Sequence, residues 1–130
     1  MNKIMLVAAG VLMSAQAFAD SPSDVGLCKG AIATIMYKDP SIMKGEMHGN
    51  EARIGYTRKV DDSKFEMKCK FPKKGLVIWA GKIDGQWGRW RDHTADSIVT
   101  YEVGSDSTTF YENMASKVVG EETFSNAKLN

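Results

Sequence analysis

Residues 64–71 read KFEMKCKF, and this stretch decides the fold. Every second residue is apolar and the residues between them are charged, which is the two-residue period of a β-strand with one buried and one exposed face. The inward set is Phe65, Met67, Cys69 and Phe71, and the outward set is Lys64, Glu66, Lys68 and Lys70.

The same period continues on both sides of this strand. Residues 51–58 alternate in the same way, and Asp61-Asp62-Ser63 supplies turn residues between them and residues 64–71, so the two stretches predict a hairpin. The apolar run 76–80 predicts a central strand. Residues 97–103 and 107–112 predict a second hairpin, and residues 117–124 predict an edge strand with Gly120 at a bulge.

The segment before the strands has a helical pattern. From Ser21 to Lys38 apolar residues recur at three- and four-residue steps, Ser23 or Asp24 can cap the first turn, and Asp39-Pro40 ends the helix. The predicted fold is therefore α+β, with an N-terminal helix packed on a curved antiparallel β-meander of about five to seven strands.

The N-terminus has the pattern of an export signal. Lys3 precedes an apolar run from Ile4 to Met13, and Ala17-Phe18-Ala19 matches a cleavage site. We expect a signal peptide at residues 1–19, a single mature domain at residues 20–130 with no transmembrane segment, and a periplasmic or secreted protein of bacterial type.

Two cysteines, Cys28 and Cys69, fit this compartment. An oxidising space favours a disulfide between them, whereas two free buried thiols and a metal pair are the alternatives. Neither cysteine has a second cysteine or a histidine at ligand spacing, so we expect no metal site. The disulfide would link the N-terminal helix to the strand at residues 64–71.

Charge is unevenly distributed along the chain. Without residues 1–19, the chain has 16 basic and 16 acidic side chains, which argues against a nucleic-acid binder. Residues 53–91 nevertheless contain 11 basic and 4 acidic side chains, and residues 92–130 contain 2 and 7. The lysine-rich strand with Lys68 and Lys70 is either a basic face for an anionic partner or a sheet edge protected against aggregation.

Catalytic motifs are lacking in the sequence. It contains no nucleophile elbow, no glycine-rich phosphate loop and no paired histidines on a helix, so we expect neither an enzyme nor a cofactor. Asp92, His93 and Asp96 form the one cluster that a small hydrolase could use. A polar loop between strands is the favoured interpretation, because aspartate, serine and threonine concentrate in turns.

The strongest local signal is Trp87-Gly88-Arg89-Trp90-Arg91. In extended geometry Trp87, Arg89 and Arg91 share one face and Trp90 takes the other, and tryptophan with arginine is typical of binding hot spots. The structural interpretation, which we favour, places Trp90 in the core with Trp79. In that interpretation Trp87 packs over the mouth of the sheet, and both arginines reach nearby carboxylates.

The overall plan is similar to that of small bacterial periplasmic inhibitors and immunity proteins, lysozyme inhibitors among them. The resemblance implies a non-enzymatic exported protein that binds a protein or cell-envelope partner. It assigns no site residues, because the Ser-Gly-x-x-Tyr segment expected of c-type lysozyme inhibitors is absent. From the residues themselves, we expect the partner-binding set Trp87, Arg89, Arg91, Lys68 and Lys70, with an assembly factor of an envelope complex as the alternative function.

Overall fold

A computed structural model describes residues 21–130, so the predicted signal peptide at residues 1–19 lies outside the described residues. Helix α1 spans Asp24–Met36, a 3₁₀ helix spans Pro40–Ile42, and helix α2 spans Asn126–Leu129. The strands are β1 (Lys44–His48), β2 (Glu51–Arg58), β3 (Ser63–Lys70), β4 (Leu76–Ile83), β5 (Gln86–Trp87), β6 (Ile98–Val103), β7 (Ser107–Met114) and β8 (Lys117–Ser125).

All strand pairs are antiparallel, in the order β1-β2-β3-β4-β6-β7-β8, and β5 pairs with the end of β4. The α+β meander predicted from the sequence is confirmed. Strands β1 and β5 are not among the elements predicted above. All five residues of β1 are exposed, so no apolar alternation marks it, and β5 has only two residues.

The limits of helix α1 follow local chemistry. The Ser23 side chain caps the first turn by accepting a hydrogen bond from the Gly26 backbone N–H at 3.1 Å, as the sequence predicts. The helix ends at Met36, ahead of Asp39-Pro40. Asp39 then caps the 3₁₀ helix, accepting a hydrogen bond from the Ser41 backbone N–H at 2.9 Å.

Helix α1 packs on one face of the sheet, which we call the helix face; the opposite side is the outer face. The predicted disulfide joins Cys28 of α1 to Cys69 of β3, with 5.7 Å between the two Cα atoms, and both residues are fully buried. Side chains of the sheet that join this core include Ala52, Ile54, Met67, Val77, Val99 and Phe110.

Strand β3 divides its residues between the two faces, as its sequence predicts. Met67 and Cys69 are buried on the helix face, whereas Lys68 and Lys70 lie between them on the outer face. In the described residues, no helix is long and apolar enough to cross a membrane.

The bulge predicted at Gly120 lies immediately beside that residue. Glu112 of β7 pairs with Gly120, and Asn113 pairs with Val118, so Val119 is the extra residue. Strand β8 forms one end of the sheet, as predicted.

Candidate binding surface

Strand β5 places Trp87 on the outer face of the sheet. Asp84 and Gly85 form a two-residue turn in which both residues have positive φ, of 51° and 78°, as a tight hairpin requires. The turn brings Trp87 opposite Lys82 of β4. An Asp-Gly pair between two β segments is a hairpin signal, so this strand was detectable in the sequence.

A cluster of tryptophan and cationic side chains covers the outer face of β2–β5. The ammonium of Lys68 lies 4.9 Å from the ring centre of Trp87 and 4.7 Å from that of Trp90. Lys70 lies 4.5 Å from the ring centre of Trp90. We call this cluster the tryptophan–cation face; its members are Arg53, Lys68, Lys70, Lys82, Trp87 and Trp90.

Two further cations complete the contacts around Trp87. The guanidinium of Arg53 lies 5.4 Å from the ring centre, and the ammonium of Lys82 lies 5.5 Å from it. Each contact of this kind contributes roughly 0.5–1 kcal/mol at an exposed site. Both indoles are half-buried, and the Lys68 side chain is only 15% exposed, so the cluster is an ordered surface.

Positive charge exceeds negative charge on the tryptophan–cation face. Its four cations have two carboxylates beside them: Glu51 lies 3.9 Å from both Arg53 and Lys68, and Glu66 lies 3.2 Å from Lys82. The Nε–H of Arg53 is buried and has no hydrogen-bond acceptor among the described residues. Like charges held this close repel one another, so an anion on this face would be stabilised.

The structure brings together Trp87, Lys68 and Lys70, but it does not keep Arg89 and Arg91 with them. Arg89 forms a bidentate pair with Asp96, at 2.8 and 2.9 Å. Arg91 lies 3.8 Å from the same carboxylate. The expectation that Trp87, Arg89 and Arg91 share one face is therefore wrong, because the chain leaves strand geometry directly after Trp87.

The structural interpretation is also only half right. Its arginine–carboxylate contacts are present, but Trp90 lies on the outer face beside Lys68 and Lys70 and does not fill the core. Trp79 does pack against the core, and its indole N–H donates to the Ser97 carbonyl at 3.0 Å. Sequence analysis missed Arg53, Lys82 and Trp90, since cross-strand register and a loop path bring them to Trp87.

The Asp92, His93 and Asp96 cluster is held as a polar turn. Asp96 accepts a hydrogen bond from the backbone N–H of His93 at 3.0 Å, and Nδ1 of His93 accepts one from the backbone N–H of Ala95 at 3.3 Å. A catalytic relay instead needs Nδ1–H to donate to the carboxylate. The hydrogen bonds from Arg89 lower the pKa of Asp96 to about 2, so its carboxylate is a fixed anion.

The hydroxyl group of Ser97, directly after this turn, is also engaged elsewhere. Ser97 donates to the buried carboxylate of Glu112 at 2.6 Å. The described geometry gives the hydrolase alternative no support. Within residues 21–130, no group of three histidine, cysteine, aspartate or glutamate side chains is placed to hold a metal ion.

An open concavity of about 1290 Å³ adjoins the tryptophan–cation face, with Trp87, Arg53 and Lys82 among the residues that line it. Strands β1–β4 contribute most of its lining. The cations that line it are Lys38, Lys44, Arg53, Arg58, Lys59, Lys64 and Lys82, and the carboxylates that line it are Glu46 and Glu66.

The geometry and charge of the described residues are the basis for the proposed function. Comparison of the chain with protein-family models, with curated proteins and with solved structures finds no match.

Proposed function

We propose that this chain is a small, non-enzymatic binding protein that acts outside the cytoplasm. It would meet a protein or cell-envelope partner through the tryptophan–cation face, in the manner of an inhibitor or immunity protein. An export signal in the sequence and a buried Cys28–Cys69 disulfide support the compartment, since disulfides persist in oxidising environments.

One observation carries the proposal: two half-buried indoles lie among four cations on the side of the sheet away from helix α1. Tryptophan and arginine are enriched among the residues that contribute most to protein interfaces. A half-buried indole with cations over its ring offers both apolar contact and attraction for anionic groups. Arg89 and Arg91 are left out of this proposal, because both pair with the carboxylate of Asp96.

The proposal is tested by capture of partners from an envelope extract with the purified protein. Wild type is compared with the Trp87→Ala/Trp90→Ala variant, and Arg89→Gln serves as the control outside the face. We expect capture to fall at least tenfold in the double variant, since a hot-spot residue contributes about 2 kcal/mol or more. Capture by Arg89→Gln should stay within twofold of wild type.

Circular dichroism and thermal melting confirm that each variant folds. Unchanged capture by a folded Trp87→Ala/Trp90→Ala protein would show that the face is not the binding site. Where the double variant does not fold, Lys68→Met and Lys70→Met, which keep the side-chain length, provide the same comparison. Size-exclusion chromatography of the captured complex separates a one-to-one binder from an accessory subunit of a larger assembly.

A further inference from the structure

The concavity beside Trp87 is larger than a typical cleft for a small molecule. Its volume of about 1290 Å³ exceeds the roughly 300–1,000 Å³ of such clefts, and it is open on one side. Seven cations line it against two carboxylates, Glu46 and Glu66. Because Trp87 also lines it, the concavity is continuous with the tryptophan–cation face.

One row of residues crosses the sheet through this concavity. Lys44 of β1 pairs with Gly55 of β2, and Gly55 pairs with Glu66 of β3. Lys82 of β4 follows in the same row, and its ammonium lies 3.2 Å from Glu66. Gly55 has no side chain, and a Cβ atom there would lie 3.1 Å from the Phe65 carbonyl oxygen and 3.7 Å from Cγ of Glu66, so the strands approach each other closely at this point.

The cations in this row are too far apart for one small anion. Lys44 and Lys82 are separated by three strand spacings, or about 14 Å. This is a separation of backbones, and the ammonium of Lys82 lies 3.2 Å from Glu66, so a single phosphate or carboxylate on Lys44 would also contact Lys82 only if that ion pair broke. An occupant that uses the whole concavity therefore carries several anionic groups along an extended chain.

Carboxylates within the concavity disfavour a uniform polyanion. Glu66 lies in the row between Lys44 and Lys82, and Glu46 lies 3.3 Å from His48. A polymer with an anionic group at every unit would meet Glu66 with a like charge. A peptide can place its carboxylates opposite the lysines and other groups opposite Glu66.

Exposed apolar side chains border the same region. Ile42, which lines the concavity, is 46% exposed. Val60, which follows Lys59 in the turn between β2 and β3, is 84% exposed. These side chains can contact the apolar residues of a peptide, which a bare polyanion lacks.

An anionic bilayer fits this region less well than a peptide does. A bilayer surface is broad and does not enter a concavity formed by four strands. The exposed carboxylates of Asp62 and Asp84 lie in the hairpin turns next to Val60 and Ile83, where they would repel anionic lipid headgroups.

We propose that the partner presents an extended peptide segment in which acidic and apolar residues are interspersed, and that this segment binds in the concavity with its carboxylates on Lys44 and Lys64. The inference rests on the proposed binding function, and it names the chemistry of the partner. Lys64 pairs with Thr57 in the neighbouring row on the same face, so it adds a cation beside the row that contains Lys44 and Glu66.

The test is selection from a random-peptide display library on the purified wild-type protein. We expect the enriched peptides to contain two or more aspartate or glutamate residues together with apolar ones. The dissociation constant of a labelled enriched peptide is then measured for each variant. It should rise at least tenfold for Lys44→Glu/Lys64→Glu and less than twofold for Lys73→Glu/Lys117→Glu, whose exposed lysines lie outside the concavity.

Heparin and phosphatidylglycerol vesicles are assayed in parallel as probes of a uniform polyanion and of a membrane. The inference is overturned if no peptide is enriched, if enriched peptides lack acidic residues, or if their binding is unaffected by Lys44→Glu/Lys64→Glu. It is equally overturned if heparin or vesicles bind more tightly than the peptides and respond to the same variant.

The variant Trp87→Ala/Trp90→Ala separates this inference from the proposed function. Peptide binding that depends on the lysines but not on the indoles would leave the concavity as the site and reject the tryptophan–cation face. Partner capture that falls in Trp87→Ala/Trp90→Ala but is unchanged in Lys44→Glu/Lys64→Glu would keep the proposed function and reject the acidic peptide as the partner segment.

Discussion

Asp96 is the residue that organises the irregular segment after Trp87. Its carboxylate accepts two hydrogen bonds from Arg89 and one from the backbone of His93, and Arg91 lies 3.8 Å away. Both arginines are thereby held away from the tryptophan–cation face. A single carboxylate thus holds both arginines of the binding set that the sequence suggests.

Replacement of Arg89 by glutamine should raise the pKa of Asp96. In the folded protein the Arg89 hydrogen bonds hold this pKa at about 2, below its ordinary value of 3.8. The carboxyl signal of Asp96, followed by NMR during a pH titration, should move toward 3.8 in Arg89→Gln. Asp61, whose pKa is lowered chiefly by Arg58, is the internal reference and should not change.

The same pair implies a pH dependence of stability. Because the pKa of Asp96 is lower in the folded than in the unfolded chain, its contribution is present above pH 3.8 and is lost as the pH falls towards 2. The urea midpoint of wild type should therefore fall more steeply across that window than the midpoint of Arg89→Gln. Parallel curves, or an unmoved Asp96 signal, would contradict the assignment.

At the scale of elements, helix α1 contacts β7 through a glycine. A Cβ atom on Gly30 would overlap the ring of Phe110, which is fully buried. Glycine in a helix interior costs about 1 kcal/mol relative to alanine. Here the glycine is required by packing, because it lets the largest fully buried side chain lie directly against the helix.

Gly30→Ala should therefore destabilise the protein although alanine favours helix formation. An overpacked core costs roughly 1–3 kcal/mol, which exceeds the gain in helix propensity. We expect a net loss of about 1 kcal/mol in the free energy of unfolding, measured with urea. Phe110→Leu makes room for the new methyl group. The double variant should therefore lose less stability than the sum of the losses measured for the two single variants.

An additive result in this double-mutant cycle would show that the ring and the glycine are not coupled. Lys29→Gly is a suitable control in the same helix, because Lys29 is only half-buried and its replacement carries the propensity cost in the opposite direction. Its loss of stability should not depend on the residue at position 110.

At the scale of the whole molecule, the sheet has a basic and an acidic half. Residues 53–91, with a net charge of +7, supply β2–β5, and residues 92–130, with a net charge of −5, supply β6–β8. Since β4 neighbours β6, the boundary between the two signs runs down the middle of the sheet. A charge distribution of this kind produces a field that would orient an acidic partner, as proposed above, toward β2–β5.

The disulfide links parts of the molecule that are far apart in sequence, because it joins helix α1 to strand β3 across 41 positions. Closing a loop of that size stabilises the folded state by about 4 kcal/mol on the loop-entropy account. A reductant should therefore lower the urea midpoint of wild type and should raise its mass by two units. The Cys28→Ala/Cys69→Ala variant is the control, and its midpoint should not respond to the reductant. An unchanged mass on reduction would contradict the pairing.

The sequence by itself determined the elements in which local chemistry is decisive. The alternation in residues 64–71 fixed the inward and outward residues of β3, the Ser23 cap fixed the start of α1, and the two cysteines fixed one link between them. Such signals depend on neighbours one to four positions apart. They can therefore be detected from the sequence without knowledge of the tertiary contacts.

Only the tertiary structure decided which side chains share a surface. Arg53, Lys68 and Lys82 come from three strands, and the register between those strands places them around Trp87. Trp90 joins them because the chain turns after β5, where the rule of alternate faces no longer holds. Register and loop path depend on contacts between residues far apart in sequence. Those contacts cannot be inferred from residues 87–91 alone.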